Sequence, residues 1–207
     1  MIKTLDKLFG SPERVKILRL FILNPKLCFE PKDISRRTKS AIRKVNQELK
    51  MLRGIGFVKS AVVTIEKTVR KKTKKQKIKG LQLNPAFEFL TPLTKLLFNA
   101  EIIKDEDLLK RLKKAGKLQF VVVSGIFINE DESRADLLLV GDYIKKPALE
   151  NVIKGIEAEI GRELNYGVFD TEDFAYRLSV CDKFVRDVLD YPHRRIFNRL
   201  KEFEEFE

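Results

Sequence analysis

The basic run at residues 70–77 constrains the fold more than any other part of this sequence. It consists of RKKTKKQK and carries six positive charges without an acid. Residues 57–69 before it are rich in Val, Ile and Thr and have no helical period, and residues 78–83 after it resume a strand-like pattern. Two strands on either side of this run predict a β-hairpin with a basic tip. A solubilising loop or a nuclear-import-like signal is the other explanation of the lysines.

Three helical segments are predicted before this hairpin. The first begins at Ser11-Pro12-Glu13, which combines a capping residue, a proline suited to the first turn and an acid near the positive end of the helix dipole. The second covers residues 31–38. The third is predicted over residues 40–53, where apolar residues recur at spacings of three and four. Its apolar stripe consists of Ile42, Val45, Leu49 and Leu52.

The opposite face of the third helix is polar and basic. Ser, Arg, Lys and Gln side chains occur there, and these are the groups that hydrogen-bond to base edges and phosphates. A solvated helix face is the other explanation of such a pattern. The predicted DNA-contacting residues are Lys39, Ser40, Arg43, Lys44 and Gln47 around this helix, and Arg70, Lys71, Lys72, Lys74 and Lys75 in the basic run.

The positive charge is concentrated in one half of the chain. Residues 1–100 contain 24 Lys or Arg and 7 Asp or Glu, whereas the remaining residues contain 18 and 23. The formal net charge of +12 therefore combines a strongly basic half with a mildly acidic one. We expect the two halves to meet different partners, and the basic half is suited to a polyanion such as nucleic acid.

Two stretches of the basic half carry a family resemblance. They are LFGSPERVKIL at residues 8–18 and LKMLRGIGFV at residues 49–58. With the order of three helices and a basic hairpin, residues 1–85 resemble winged-helix transcriptional regulators of the ArsR/MarR-like kind. The resemblance implies an α+β winged helix with a β-hairpin wing, a third helix in the major groove of double-stranded DNA, and a homodimer. No Cys, His and acid cluster matches the metal site of metal-sensing members, so no metal is expected.

The second half follows a small α+β pattern. Buried strands are predicted at residues 119–128 and 135–140, a helix at residues 147–162, and a third strand at residues 164–169, with further helices after it. The predicted division is a winged-helix domain at residues 1–85, a helical connector at residues 86–115 and a small α+β domain at residues 116–207.

The sequences SGIF at residues 124–127 and SRADLLLVGD at residues 133–142 resemble the core of minimal nucleotidyltransferase domains. In that family, Gly-Ser after a strand binds phosphates, and an Asp-x-Asp on the next strand holds Mg²⁺. Here Ile126 follows Gly125, the interval is shorter, and Arg134 stands in place of the first Asp, which leaves Asp136 alone. The resemblance therefore implies a degenerate domain that is not an enzyme and needs no cofactor. Gly125, Arg134 and Asp136 remain candidate ligand-binding residues, with Arg134 paired to Asp136 or bound to a nucleotide phosphate.

The remaining features concern the compartment of the cell. The longest apolar run, residues 118–128, is too short to cross a bilayer, and no secretory leader is recognised. Cys28, Cys181 and the single His193 are too widely separated for a zinc site or a disulfide framework. We expect reduced, buried thiols in a cytoplasmic protein.

Together these features favour a DNA-binding transcriptional regulator. Its nucleotidyltransferase-like domain is expected to sense a nucleotide, bind a protein partner or mediate association. Two alternatives stay open: an active minimal nucleotidyltransferase of a toxin–antitoxin pair, and a nucleic-acid-binding protein without sequence preference.

Overall fold

A computed structural model describes residues 2–69, 72–98, 102–130 and 132–200. The chain has an α+β fold and divides into two compact units. The first unit comprises Met1–Ile102 and Gly155–Arg162, and the second comprises Ile103–Lys154 and Glu163–Glu207. The predicted helical connector at residues 86–115 is divided between these units.

The first unit begins with helices. Ser11 caps the second of them as predicted, because its hydroxyl accepts the backbone N–H of Arg14 at 3.2 Å. The helix at the chain start was not predicted, whereas the other three lie close to their predicted positions. The helices are α1 (Ile2–Phe9), α2 (Pro12–Leu23), α3 (Pro31–Thr38) and α4 (Ile42–Gly54).

An antiparallel hairpin of β1 (Val58–Val69) and β2 (Lys72–Leu83) follows, and α5 (Leu90–Phe98) comes after it. The prediction of a long basic tip is wrong, because β2 begins at Lys72 rather than at residue 78. Most of the basic run therefore lies within a strand. The β-branched residues of β1 extend the pairing, and the weak strand propensity of lysine does not prevent it.

A short bridge attaches the hairpin to the segment before α3. Phe29 and Leu81 exchange two backbone hydrogen bonds, each 2.9 Å long. Gly80 permits this approach, since a Cβ at that position would lie 2.5 Å from the carbonyl oxygen of Phe29. The close backbone contact explains a glycine in the middle of β2.

The core of the first unit is aromatic. Phe21 of α2 meets Phe29 and Phe57 edge to face, with ring centroids 5.6 and 6.3 Å apart. Phe57 in turn meets Phe87 at 5.5 Å. Such pairs stabilise by about 0.5–1.5 kcal/mol beyond the area they bury.

The remaining elements form a four-stranded sheet with helices. The sheet order is β5-β4-β3-β6, in which only the β4–β5 pair is parallel. The central strand β4 is almost completely buried, which fits its continuous run of apolar residues. These elements are α6 (Asp105–Leu112), β3 (Lys117–Val123), β4 (Leu137–Asp142), α7 (Lys146–Ile160), β5 (Tyr166–Phe169), α8 (Thr171–Ser179), α9 (Lys183–Leu189) and β6 (Arg194–Asn198).

Three further expectations differ from the structure. The first strand ends at Val123, and a single 3₁₀ turn (Gly125–Phe127) follows it. The strand β6, which pairs with β3, was not predicted. The thiols are not both buried, because Cys28 is half-buried and Cys181 is exposed.

In the described part of the chain, we find no helix with both the length and the apolar character needed to cross a membrane.

The C-terminal end of α7 belongs to the first unit and packs on α2. The buried guanidinium of Arg19 donates hydrogen bonds to the carbonyls of Glu159 and Leu97, both at 3.1 Å. The Asn24 amide donates to the carbonyl of Gly161 at 2.8 Å. Gly161 has a φ of +101°, and a Cβ there would lie 2.7 Å from backbone atoms of α2.

We expect Gly161→Ala to lower the free energy of unfolding by roughly 1–3 kcal/mol, because the new Cβ meets backbone and the positive φ disfavours it. Urea denaturation of the full chain measures this change. Gly155→Ala is the matched control, since Gly155 is helical and its added Cβ would have only Lys39 Nζ nearby, at 3.9 Å. The control is expected to be neutral or stabilising by up to about 1 kcal/mol. Equal stability of the two variants would contradict the close-approach argument.

Candidate nucleic-acid interface

Two helices joined by a tight turn form the candidate interface. Lys39 adopts a left-handed conformation with φ 49°, and it turns the chain between α3 and α4. The hydroxyl of Ser35 donates to the carbonyl of Ser40 at 2.7 Å, and the N–H of Ser40 donates back to the carbonyl of Ser35 at 3.1 Å. These hydrogen bonds fix the point at which α4 begins.

Packing and charge pairs both orient α4. Val45, Leu49 and Leu52 are buried in the core of the first unit. On the same side, the buried carboxylate of Glu48 accepts a hydrogen bond at 2.7 Å from Nε of Arg14 on α2. Arg14 also donates to the carbonyl of Phe9 at 2.7 Å. A carboxylate held in this way is costly to leave unpaired, so the contact specifies which face of α4 points inward.

A second ion pair lies at the beginning of both helices. Lys44 Nζ of α4 is 2.7 Å from Oε1 of Glu13 on α2. The hydrogen bond from Lys44 is the largest cause that lowers the pKa of Glu13 below its ordinary value. Lys44, predicted to contact DNA, is therefore held against α2 by this pair.

The exposed face of α4 differs in part from the predicted one. Arg43 and Gln47 are exposed, as predicted. Asn46 and Lys50 are also exposed, although neither was among the predicted contact residues. Ser40 is not on this face: it lies in the turn before α4, is buried, and donates its hydroxyl to the carbonyl of Thr38 at 3.2 Å. Its side chain is therefore engaged in shaping the turn.

The hairpin contains predicted basic contact residues that lie outside α4. Backbone pairing places Lys74 opposite Lys67 and Lys75 opposite Glu66, and it places Lys72 at the start of β2 opposite Val69. The predicted contact residues Arg70 and Lys71 lie outside the described residues.

A groove of about 550 Å³ runs between α4 and the hairpin. Lys50 and Arg53 of α4 and Lys79 of β2 contribute basic side chains to it, with Asn46 at the same groove. The residues that line it in the described part of the chain include no acid. The groove therefore continues the basic surface of α4 towards the hairpin.

The candidate ligand residues of the second unit do not form one site. Asp136 is buried, and its two carboxylate oxygens accept the backbone N–H groups of Ile126 at 3.0 Å and Asn165 at 2.9 Å. Gly125 packs directly against this carboxylate with a φ of +57°, so a side chain there would collide with Asp136. Arg134 instead forms an ion pair with Asp187. The Asp136 carboxylate thus braces the 3₁₀ turn against the start of β5.

A cavity of about 730 Å³ adjoins this ion pair. Its lining contains Arg134 and Lys183 together with Glu130, Glu132 and Asp187, so both signs of charge are present. Among the residues the structure describes, no group of three or more His, Cys, Asp or Glu is arranged to hold a metal ion.

Comparison of this chain with protein-family models, with curated proteins and with solved structures finds no match.

We expect the pKa of Glu13 to lie below its ordinary value of 4.5 in the native protein and to rise towards it in Lys44→Ala. Because the folded-state pKa is lowered, the pair stabilises the fold above the ordinary pKa, and this contribution is lost as the pH falls through the lowered value. NMR titration of the Glu13 carboxyl measures both values. Lys50→Ala removes an exposed lysine from the same helix as a control. An unchanged Glu13 pKa in Lys44→Ala would contradict the ion pair.

We expect Asp136→Ala to destabilise the protein by roughly 1–3 kcal/mol for each of the two N–H donors that it leaves unsatisfied. Urea denaturation of the full chain measures the loss. Asp190→Ala is the control, because Asp190 forms a partly exposed pair with Arg186 at the end of the same helix and its loss is expected to cost less than about 0.5 kcal/mol. If the two variants were equally stable, the bracing role of Asp136 would be wrong.

Proposed function

We propose that this protein is a DNA-binding transcriptional regulator that uses a winged helix in its first unit. The observation that carries the proposal is the exposed polar and basic face of α4. The apolar stripe and the Arg14–Glu48 ion pair hold the opposite face of α4 in the core. The turn before α4 is tight, and the hairpin lies next to it in the same unit.

The dimensions of this surface suit duplex DNA. A helix of 13 residues, such as α4, is about 20 Å long, and the major groove is about 12 Å wide and admits an α-helix. Arg43, Asn46 and Gln47 are exposed in its N-terminal half, where a recognition helix contacts base edges. The lysines of the hairpin and of the groove beside it supply charge for phosphate contacts.

We propose a non-catalytic role for the second unit. A nucleotidyltransferase needs paired carboxylates that are free to hold Mg²⁺. Here the single acid at the equivalent place, Asp136, is buried and engaged by two backbone N–H groups. Association, or sensing of a nucleotide or a protein partner at the cavity beside Arg134, is the function that these residues support.

We propose that the regulator is a homodimer. Phe89, Leu96 and Ile55 are exposed apolar residues in the first unit, at a groove of about 460 Å³ between α5 and the end of α4. Burial of such residues against a second copy would remove apolar surface from water. A two-fold dimer would read two half-sites on DNA.

Selection from a pool of random duplex DNA at about 150 mM salt tests the proposed function, because nonspecific electrostatic binding is weak at that salt. An enriched motif with half-sites about ten base pairs apart, or a multiple of that, is the expected result. Binding without enrichment would identify a nucleic-acid-binding protein without sequence preference. Absence of binding, together with Mg²⁺-dependent labelling of a protein partner from a nucleoside triphosphate, would identify an enzyme.

Two kinds of substitution are expected to act differently on DNA binding. Arg43→Ala or Gln47→Ala should cost about 1–3 kcal/mol on the selected site and relax the preference at one base position. Neutralising lysines of the basic run at residues 70–77 should weaken binding to all duplexes alike and reduce the salt slope by about 1 for each phosphate that is no longer neutralised. The lysines to change to Gln are Lys71, Lys72, Lys74 and Lys75.

The matched control removes four exposed lysines of the second unit and has the same net charge as the variant of the basic run. Its substitutions to Gln are at Lys110, Lys114, Lys146 and Lys154. We expect the control to keep the salt slope of the original protein. If the control loses as much affinity for every duplex as the variant of the basic run, net charge alone governs binding. Titrations at several salt concentrations give both slopes.

A further inference from the structure

Ile42 occupies an unusual place at the start of α4. The sequence pattern assigns it to the apolar stripe, yet 42% of its surface is exposed, whereas Val45, Leu49 and Leu52 are each at most 5% exposed. An exposed branched apolar side chain at this point adds little to the core. It lies in the first turn of the helix, on the edge of the face that we assign to DNA.

Asn46 lies one helical turn after Ile42 and on the same side. Residues four apart on a helix are neighbours, separated by about 6 Å along the axis. Asn46 is exposed, and no hydrogen bond to its amide occurs in the part of the chain that the structure describes. The two side chains therefore present an apolar group and a free amide next to each other.

The chemistry of this pair matches an A·T base pair. In the major groove, thymine presents a C5-methyl group and adenine presents the N7 acceptor and the N6 donor. A carboxamide pairs with both adenine atoms, and an aliphatic side chain contacts the methyl group. Lys44 is paired with Glu13, and Ser40 is buried in the turn. Gln47 is another exposed carboxamide, but it is five residues from Ile42 and does not share its side of the helix.

We propose that Asn46 binds the N6 and N7 edge of an adenine in the major groove and that Ile42 contacts a thymine methyl group one or two base pairs away. The assignment rests on the proposed function. It adds that each half-site contains A·T pairs at the positions that face the first two turns of α4. About 6 Å along the helix axis corresponds to one or two base steps of about 3.4 Å, which sets this spacing.

Base analogues test the assignment atom by atom on the motif obtained by selection. Replacement of one thymine by deoxyuridine removes only the methyl group, and we expect it to weaken binding by about fourfold, the equivalent of about 0.8 kcal/mol for one buried carbon. In Ile42→Ala the same replacement should have no further effect. Replacement of one adenine by 7-deazaadenine should weaken binding about fivefold or more, and Asn46→Ala should abolish that difference.

Controls separate the contacts from folding. Leu27→Ala removes another exposed aliphatic side chain, one that lies between α2 and α3, and it should keep the full sensitivity to deoxyuridine. Because Ile42 and Asn46 are exposed, both alanine variants should unfold at the same urea concentration as the original protein.

The outcomes distinguish this assignment from the proposed function. An enriched motif that tolerates every deoxyuridine and 7-deazaadenine replacement would overturn the assignment alone. The same conclusion would follow if the sensitivity persisted in Ile42→Ala and Asn46→Ala. A pool that shows no enrichment would overturn the proposed function and the assignment with it.

Discussion

The edge-to-face contacts among four phenylalanines hold the first unit together. Phe21 lies at their centre and contacts Phe29, which precedes α3, and Phe57, which follows α4; Phe57 then contacts Phe87 before α5. Each ring comes from a different part of the chain, so the cluster fixes the ends of the helices and the start of the hairpin together. The Phe29–Leu81 bridge adds the far strand to the same region. The position of α4 depends on this cluster, because Phe57 ties its C-terminal end to the core.

The rotation of α4 about its own axis is set by a charge pair as well as by apolar packing. Glu48 is buried beside Val45 and Leu52, where it is paired with Arg14. A carboxylate in this place requires its guanidinium, so the pair selects one rotation among those that apolar burial alone would permit. The outward face then contains Asn46 and Lys50 together with Arg43 and Gln47.

Local signals in the sequence were sufficient for much of the fold. The Ser11 cap, the helices α3 and α4, and the order of strands and helices from β3 to α9 all follow from capping and periodicity. The exposed face of α4 could be predicted only in part, because an apolar pattern includes Ile42 in the buried stripe and leaves out the charged Glu48. Replacing Ile42 by Glu48 in the buried set rotates the outward face by about 30° towards Asn46 and Lys50. The partner of Glu48 is 34 residues away, and the N–H groups that engage Asp136 are 10 and 29 residues away. Such long-range contacts have no local signature, and neither has the pairing that makes a strand of β6.

The passage of the chain from one unit to the other has a consequence for synthesis. The first unit includes Gly155–Arg162, although most of its residues precede position 103. During synthesis on a ribosome, the buried Arg19 cannot donate a hydrogen bond to the carbonyl of Glu159 until α7 has been made. The same holds for the hydrogen bond from Asn24 to the carbonyl of Gly161. A fragment that ends at residue 102 would lack the carbonyls of Glu159 and Gly161 that accept these two hydrogen bonds. The first unit is thus completed only after residues 103–154 of the second unit have been made.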